Sequence, residues 1–233
     1  MIWHVPKIWE GGDVWILGGG PSVAKQFGIP EKVIQEVFSG ASPPSVYSPY
    51  MEQLHGKHVI GINAAYLIGD WLDMVFFGDS GFFLQHKYAL AKYPGLKVCS
   101  HPHVNKRETN WVKFTPRDTT KGRGLSDNPS TVCWNGNSGS AALSIAANAG
   151  ASRIILLGFD MSLNSQSQQH WHNVYGRGAI TNPKSLRKLP FDRHKRGFVE
   201  IAKDAKRRGI EILNASPEST IEQFSKYTVK ELL

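Results

Sequence analysis

The sequence predicts an α/β fold, a doubly wound and mainly parallel sheet, and three observations carry that prediction. Apolar strand-like runs alternate with helix-like segments through the 233 residues, the order that calls for crossover connections and helices on both faces of a sheet. The strongest run, RIILLGFD from Arg153 to Asp160, is apolar without polar alternation, as a strand buried on both faces requires. Polar residues also recur just past the carboxyl ends of runs far apart in sequence, where open α/β sheets bind ligands.

The elements follow in order. Val14 to Leu17 reads as a first strand running into Gly18, Gly19, Gly20, Pro21 and Ser22. Three residues without Cβ permit positive φ and close approach to the main chain, and Pro21 suits a helix start. HVIGIN (58–63) reads as a second strand followed by helix-like AAYLIGDWL. MVFFGD (74–79) gives a third, and FFLQHKYALAKY an amphipathic helix stopped by Pro94 and Gly95. LKVCS is a fourth strand. Residues 101–137 lack periodicity and are too long for an ordinary connector, which marks a functional loop. Ser138 then reads as the cap of a small-residue helix, NSGSAALSIAANAG, that leads into the strongest strand. A second irregular insertion, 161–190, precedes a basic helix, a last strand in IEILNAS and a short terminal helix from Pro217.

Composition narrows the class. The two cysteines, Cys99 and Cys133, are too few for a disulfide framework and are not spaced as a zinc knuckle. No run of 18 apolar residues occurs, and Met1 to Lys7 lacks the apolar stretch of a secretion signal, so a single soluble cytoplasmic domain is expected. The net charge of +8 is concentrated: Lys184 to Arg208 holds ten Lys or Arg against Asp192, Glu200 and Asp204. Such a concentration suits a polyanion, either a nucleotide or nucleic acid, but the Lys203, Lys206, Arg207 and Arg208 part reads better as a solvated helix face.

Gly18 to Ser22, Asn63, Asp79, Asp160 and Asn214 each follow a predicted strand, so one pocket at that edge of the sheet is expected. A phosphate group is expected against the main-chain N–H groups of Gly19 to Ser22. Asp79 and Asp160, each on a glycine-relaxed turn, are candidates for Mg²⁺ binding, for hydrogen bonds from a ribose or base, or for a general base. His170 and His172 lie two apart in QQHWH and share a face if extended, which suits substrate binding or, with a further ligand, a metal. His194 sits among Arg193, Lys195 and Arg196, whose charges are expected to depress its pKa and turn it into a neutral base or part of a phosphate clamp. That cluster is expected to turn inward. No nucleophile motif such as Gly-x-Ser-x-Gly is present.

WILGGGPSV, GINAAY, NSGSAALSIAANAGASRIILLGFDMS, and His-Lys-Arg followed by a helix and IEILNASPES resemble, in order, the successive blocks of bacterial sialyltransferases and of 6-hydroxymethylpterin diphosphokinase-like domains. DMVFFGDSGFF with PGLKV, and GFDM with HWH, resemble uncharacterised phage-encoded members of that superfamily. The resemblance implies a Rossmann-like domain with a nucleotide over the glycine loop, held by Asn63 and by Ser138 and Gly139, with a histidine near His194 as base. Gly19 stands where the sialyltransferase loop carries Asn. The diphosphokinase-like branch implies Mg²⁺ at Asp79.

Together these features read as a nucleotide-dependent transferase of glycosyltransferase type, with a nucleotide or nucleotide sugar as ligand. The alternatives are a Mg·ATP-dependent pyrophosphokinase-like enzyme and a non-catalytic phage protein, bound to nucleic acid or the virion through its basic face and residing in the host cytoplasm.

Overall fold

The computed structural model describes residues 2–105, 110–175 and 189–233. Residues 176–188 of the second insertion, with Lys184, Arg187 and Lys188 of the basic stretch, lie outside the described residues.

The elements in chain order are β1 (Asp13–Leu17), α1 (Ser22–Gln26), α2 (Glu31–Ser39), a 3₁₀ segment Pro44–Leu54, β2 (His58–Ile62), a second 3₁₀ segment Asn63–Ile68, β3 (Met74–Phe77), α3 (Ser80–Lys92) and β4 (Leu96–Cys99). Then follow α4 (Pro102–Asn105), β5 (Lys113–Phe114), α5 (Ser138–Asn148), β6 (Arg153–Leu157), α6 (Phe191–Arg208), β7 (Glu211–Asn214), β8 (Ser225–Lys226) and α7 (Val229–Leu232). Eight strands form one sheet in the order β5-β4-β3-β2-β1-β6-β7-β8, and every pairing among the described strands is parallel. The chain steps outward from β1 to β5, then returns to lay β6 on the other side of β1. The β1/β6 junction is therefore the switch point of the sheet, where the loops leave in opposite directions and open a crevice.

Both faces of the sheet are covered. Trp15 and Leu17 point into one core, with residues of α2, α3 and the 3₁₀ segments, whereas Val14 and Ile16 point into the other, with α5 and α6. That two-sided burial explains why the strands read as unbroken apolar runs. Every residue of α5 is buried, and its Gly, Ala and Ser composition lets it lie tightly on the sheet beneath α6. In α6, Gly197, Phe198, Ile201 and Ala205 make the buried stripe, and Gly209 ends the helix at φ 67°.

Several expectations are corrected. The cap of α5 is Asn137, whose side chain accepts from the Ser140 N–H at 2.8 Å, and Ser138 is the first helical residue. The segment after β2 is 3₁₀ over Asn63–Ile68, not an α-helix. No helix starts at Pro217. The hydroxyls there bind outside the segment instead: Ser216 Oγ accepts from the Gly158 and Phe159 N–H groups, and Ser219 Oγ donates to the Phe159 carbonyl at 2.6 Å. These bonds brace the exit of β6. The terminal helix is α7, with a Thr228 and Glu231 capping box. The first irregular insertion holds α4 and β5, too short to show periodicity.

Candidate functional site

At the β1/β6 switch point lies a cavity of about 140 Å³. Its walls come from three strand exits, two helix starts and the second insertion: Gly18, Gly19 and Gly20 after β1, Asn63 after β2, Gly158 to Ser162 after β6, the α5 start at Asn137 to Gly139, His170, His172 and Tyr175 from the second insertion, and His194 on α6.

The glycine loop owes its composition to neighbouring protein rather than to backbone conformation. Gly18, Gly19 and Gly20 all avoid positive φ. A Cβ on Gly18 would meet the Gly158 carbonyl at 2.7 Å, one on Gly19 would meet His170 Nδ1 at 2.7 Å, and one on Gly20 would fall on the Asp160 carboxylate. Trp171 locks this contact, since its N–H donates to the Gly19 carbonyl at 3.0 Å and its Nε1–H to the Gly18 carbonyl at 2.9 Å. With Trp171 buried in the core, His170 and His172 are presented to the cavity as a stacked pair, 5.2 Å between centroids and 4° from parallel.

The expected phosphate cradle at Gly19 to Ser22 is largely occupied by the protein. The Gly18 N–H donates to Leu157, the Gly20 N–H to Gly158, and the Ser22 N–H to Asp160 Oδ2 at 3.2 Å. Asp160 thus supplies the anion at the start of α1, and of these N–H groups only that of Gly19 lacks an acceptor among the described residues. The start of α5 is different. Among the described residues the Ser138 and Gly139 N–H groups have no acceptor, and the Ser138 Oγ is buried without a partner. Asn63 Oδ1 is likewise buried and unpaired. Asn63 (φ 50°) and Met161 (φ 51°) both hold left-handed backbone on the cavity wall, a conformation that costs free energy and clusters at ligand sites.

Electrostatically the cavity holds neutral imidazoles. Burial pushes His172 down to about 3, with His170 and His86 adding to the effect, and pushes His170 down to about 4. His194 is also depressed to about 4, by burial first, then by Arg193 and His170. Lys195 and Arg196 take no part in that shift, contrary to expectation. Burial raises the Asp160 carboxyl, opposed by hydrogen bonds from Ser22.

Among the residues singled out from sequence, the cavity gathers Gly18, Gly19, Gly20, Asn63, Ser138, Gly139, Asp160, His170, His172 and His194. Pro21 and Ser22 line a smaller neighbouring recess with Asp160 and Glu218. Asp79 does not line the cavity. It is exposed after β3, three strand spacings from β6, or about 14 Å across the sheet, so Asp79 and Asp160 do not converge on one ion. Among the described residues no group of three His, Cys, Asp or Glu could hold a metal. Arg193 and Arg196 are exposed, and the partly exposed Lys195 pairs with Asp192 at 3.5 Å, so the inward turn is made by His194 alone. Asn214 lies buried behind the site, its Oδ1 accepting from the Ser216 N–H at 3.2 Å. Asn137, Phe159, Met161, Tyr175 and Phe191 were not legible as site residues. Only Asn137 carried a signal, as a cap-type residue before a helix.

This architecture recurs in known structures. The sialyltransferase CstII of Campylobacter jejuni, in complex with the substrate analogue CMP-3FNeuAc, is similar over 93% of this chain and 86% of its own, with 15% identity and a TM-score of 0.51. The monofunctional α-2,3-sialyltransferase Cst-I of the same organism is similar over 93% and 80%, with 13% identity and a TM-score of 0.52. CstII with a trisaccharide acceptor and CMP gives 16% identity over 91% and 84%, with a TM-score of 0.50. The fold is shared with bacterial sialyltransferases. No family model matches the chain, and no curated protein matches it in sequence. No described helix is long and apolar enough to cross a membrane.

Proposed function

We propose that this protein is a glycosyltransferase of sialyltransferase type that takes a cytidine nucleotide sugar in the β1/β6 crevice. One observation carries the reading: Asn63 Oδ1, Ser138 Oγ and the first N–H groups of α5 are left unpaired around one cavity. Buried polar atoms without partners are costly, and a polar ligand is the natural partner for a group of them. The occurrence of CMP and CMP-3FNeuAc in neighbours of the same fold supports the choice of nucleotide.

The donor phosphate belongs at the start of α5. Eleven residues long, α5 has a macrodipole to offer, whereas the five-residue α1 already faces Asp160. Ser138 Oγ–H and the Ser138 and Gly139 N–H groups donate to the phosphate oxygens, and Asn63 Oδ1 accepts from the nucleoside. Neutral His194 takes the proton from the acceptor hydroxyl as its oxygen bonds to the anomeric carbon, while the nucleotide leaves with the electrons of the broken bond. A donor phosphate in the cavity stabilises the protonated ring, raising the His194 pKa from about 4 towards the working pH.

Melting temperature in the presence of CMP, UDP, GDP, ADP or ATP, with and without Mg²⁺, tests this. A ligand held only by the folded state raises stability as RT ln(1 + [L]/Kd), about 2.7 kcal/mol at a hundredfold excess over Kd. CMP should give the largest rise, with or without Mg²⁺. A rise confined to ATP with Mg²⁺ would move the protein to phosphoryl transfer, and no rise with any nucleotide would remove the donor site.

A further inference from the structure

We propose a second, anion-binding subsite outside the carboxyl ends of β3, β4 and β5, centred on Arg117. Calling it the acceptor's subsite rests on the glycosyltransferase reading; the anion site itself does not.

The register of the three strands builds it. Phe77 pairs with Cys99, and Cys99 with Phe114, so the next residues along, Gly78, Ser100 and Thr115, stand side by side past the strand ends. Ser100 Oγ and Thr115 Oγ1 are buried and have no hydrogen-bond partner among the described residues. Two residues beyond Thr115, Arg117 folds back across this row. Its Nη2 donates to the Gly78 carbonyl at 2.7 Å, and its guanidinium lies over the Trp134 indole, with Cζ 3.5 Å from the ring centroid. Gly78 is required here because a Cβ would strike Trp134.

Arg117 is thereby held rigid while most of its donors stay free. The Gly78 carbonyl takes one of the five N–H groups of a guanidinium, and Nε is buried without a partner. No carboxylate among the described residues lies within 4.0 Å of it, although Asp79 is close enough to act on it electrostatically. Burial and the Asp79 charge therefore leave a half-buried cation with its planar edge unsatisfied. A planar, preorganised guanidinium edge matches a carboxylate or phosphate in two-point fashion. Stacking on Trp134 covers one face and leaves the edge as the direction of approach.

The neighbours define the rest of the ligand. His101, after β4, lies near enough to Arg117 and His103 for their charges to depress its pKa, with burial the larger cause, so it is a neutral hydrogen-bonding group. The Asp79 side chain, exposed and making no cap hydrogen bond at the start of α3, suits sugar hydroxyls as their acceptor rather than an anion. Tyr175 lines the nucleotide cavity and feels the charge of Asp79, so the two sites adjoin. The inferred ligand is an acidic sugar whose anion meets Arg117 and whose hydroxyls meet Asp79. This replaces Arg193, Lys195 and Arg196, which stay at the surface, as the group that selects a charged acceptor.

The test measures binding of glucuronate, glucose 6-phosphate and glucose by melting temperature and calorimetry, in the wild type, Arg117→Met and Arg117→Lys, with CMP as a separate arm. Wild type should bind at least one acidic sugar at least tenfold more tightly than glucose. Preference for glucuronate would assign a carboxylate, and preference for glucose 6-phosphate a phosphate. Arg117→Met keeps the apolar stem against Trp134 and should lose the preference. Arg117→Lys keeps the charge without the planar edge and should lose most of it. Equal binding of all three sugars by wild type, or an acid preference retained in both variants, overturns the subsite. Acid binding through Arg117 with no response to CMP would leave the subsite standing and remove the donor reading instead.

Discussion

The cavity at the switch point and the 118–135 part of the first insertion, whose Ser126 and Cys133 N–H groups donate to Ser144 of α5, are both rich in polar side chains, yet they treat them oppositely. Around the loop, partners are closed within the protein. Asn135 donates to the Gly124 and Cys133 carbonyls and accepts from the Gly124 N–H, Asp204 takes Lys121 and the Leu125 N–H, and Arg208 bonds Ser126, Ala147 and Asn148. Around the cavity, Asn63 Oδ1 and Ser138 Oγ are left open, and the histidines are desolvated without a carboxylate partner. Polar residues closed on one another hold the fold. Polar residues left open at the same burial mark where a ligand completes the set.

Acidification should break the comparison most strongly. His170, His172 and His194 have folded values below the ordinary histidine value of 6.5, so the unfolded chain binds more protons and stability falls as the pH drops from about 6.5 towards 4. Each unit of difference is worth about 1.4 kcal/mol, and with folded values of about 4, 3 and 4 the three imidazoles together are expected to lose on the order of 9 kcal/mol by pH 4. For a chain of this length that is roughly 20 °C or more in melting temperature. Asp160, raised by burial, gains its proton on folding and offsets part of the loss at the acid end. A melting temperature flat between pH 7 and pH 4 would show that the histidines are not desolvated.

Gly20→Val comes next, at about 3 kcal/mol by urea unfolding, because the new side chain occupies the place of the Asp160 carboxylate and the Gly158 carbonyl. The loss should appear without any nucleotide present. A variant of wild-type stability that fails only to bind would restore the view that these glycines make room for the ligand alone.

The sharpest contrast is the smallest in stability. Asn135→Ala leaves buried Gly124 and Cys133 groups unpaired and should cost about 2 kcal/mol. Ser138→Ala removes a hydroxyl that has no partner in the protein and should change stability by under about 0.5 kcal/mol, while weakening CMP about tenfold or more. Equal destabilisation by both would erase the distinction between closed and open polar groups.

Much of this site was legible because a parallel sheet delivers its loops to one edge, so glycine and asparagine at strand exits could be placed together from sequence. Asn63 was found that way, whereas Ser138 and Gly139, at a helix start, were singled out by the resemblance to the sialyltransferase blocks. Asp79 was misplaced because the same rule gives no lateral distance: strand order, not sequence, puts β3 three steps from β6. The basic cluster was misread because four consecutive residues on a helix point in different directions, and only His194 falls on the inner side. Arg117 had no periodic segment around it, since β5 is two residues long.

By itself the sequence determined which segments are apolar on both faces, hence a parallel sheet with its polar loops at one end, and it supplied the glycines and small residues that allow close approach. Tertiary structure alone decided what approaches: Asp160 and His170 against the glycine loop, Trp134 against Gly78, and N–H groups left open at α5 rather than α1. The physical reason is that hydrogen-bond satisfaction belongs to pairs of groups, and around the glycine loop the partners lie more than a hundred residues apart, as Ser22 and Asp160 do.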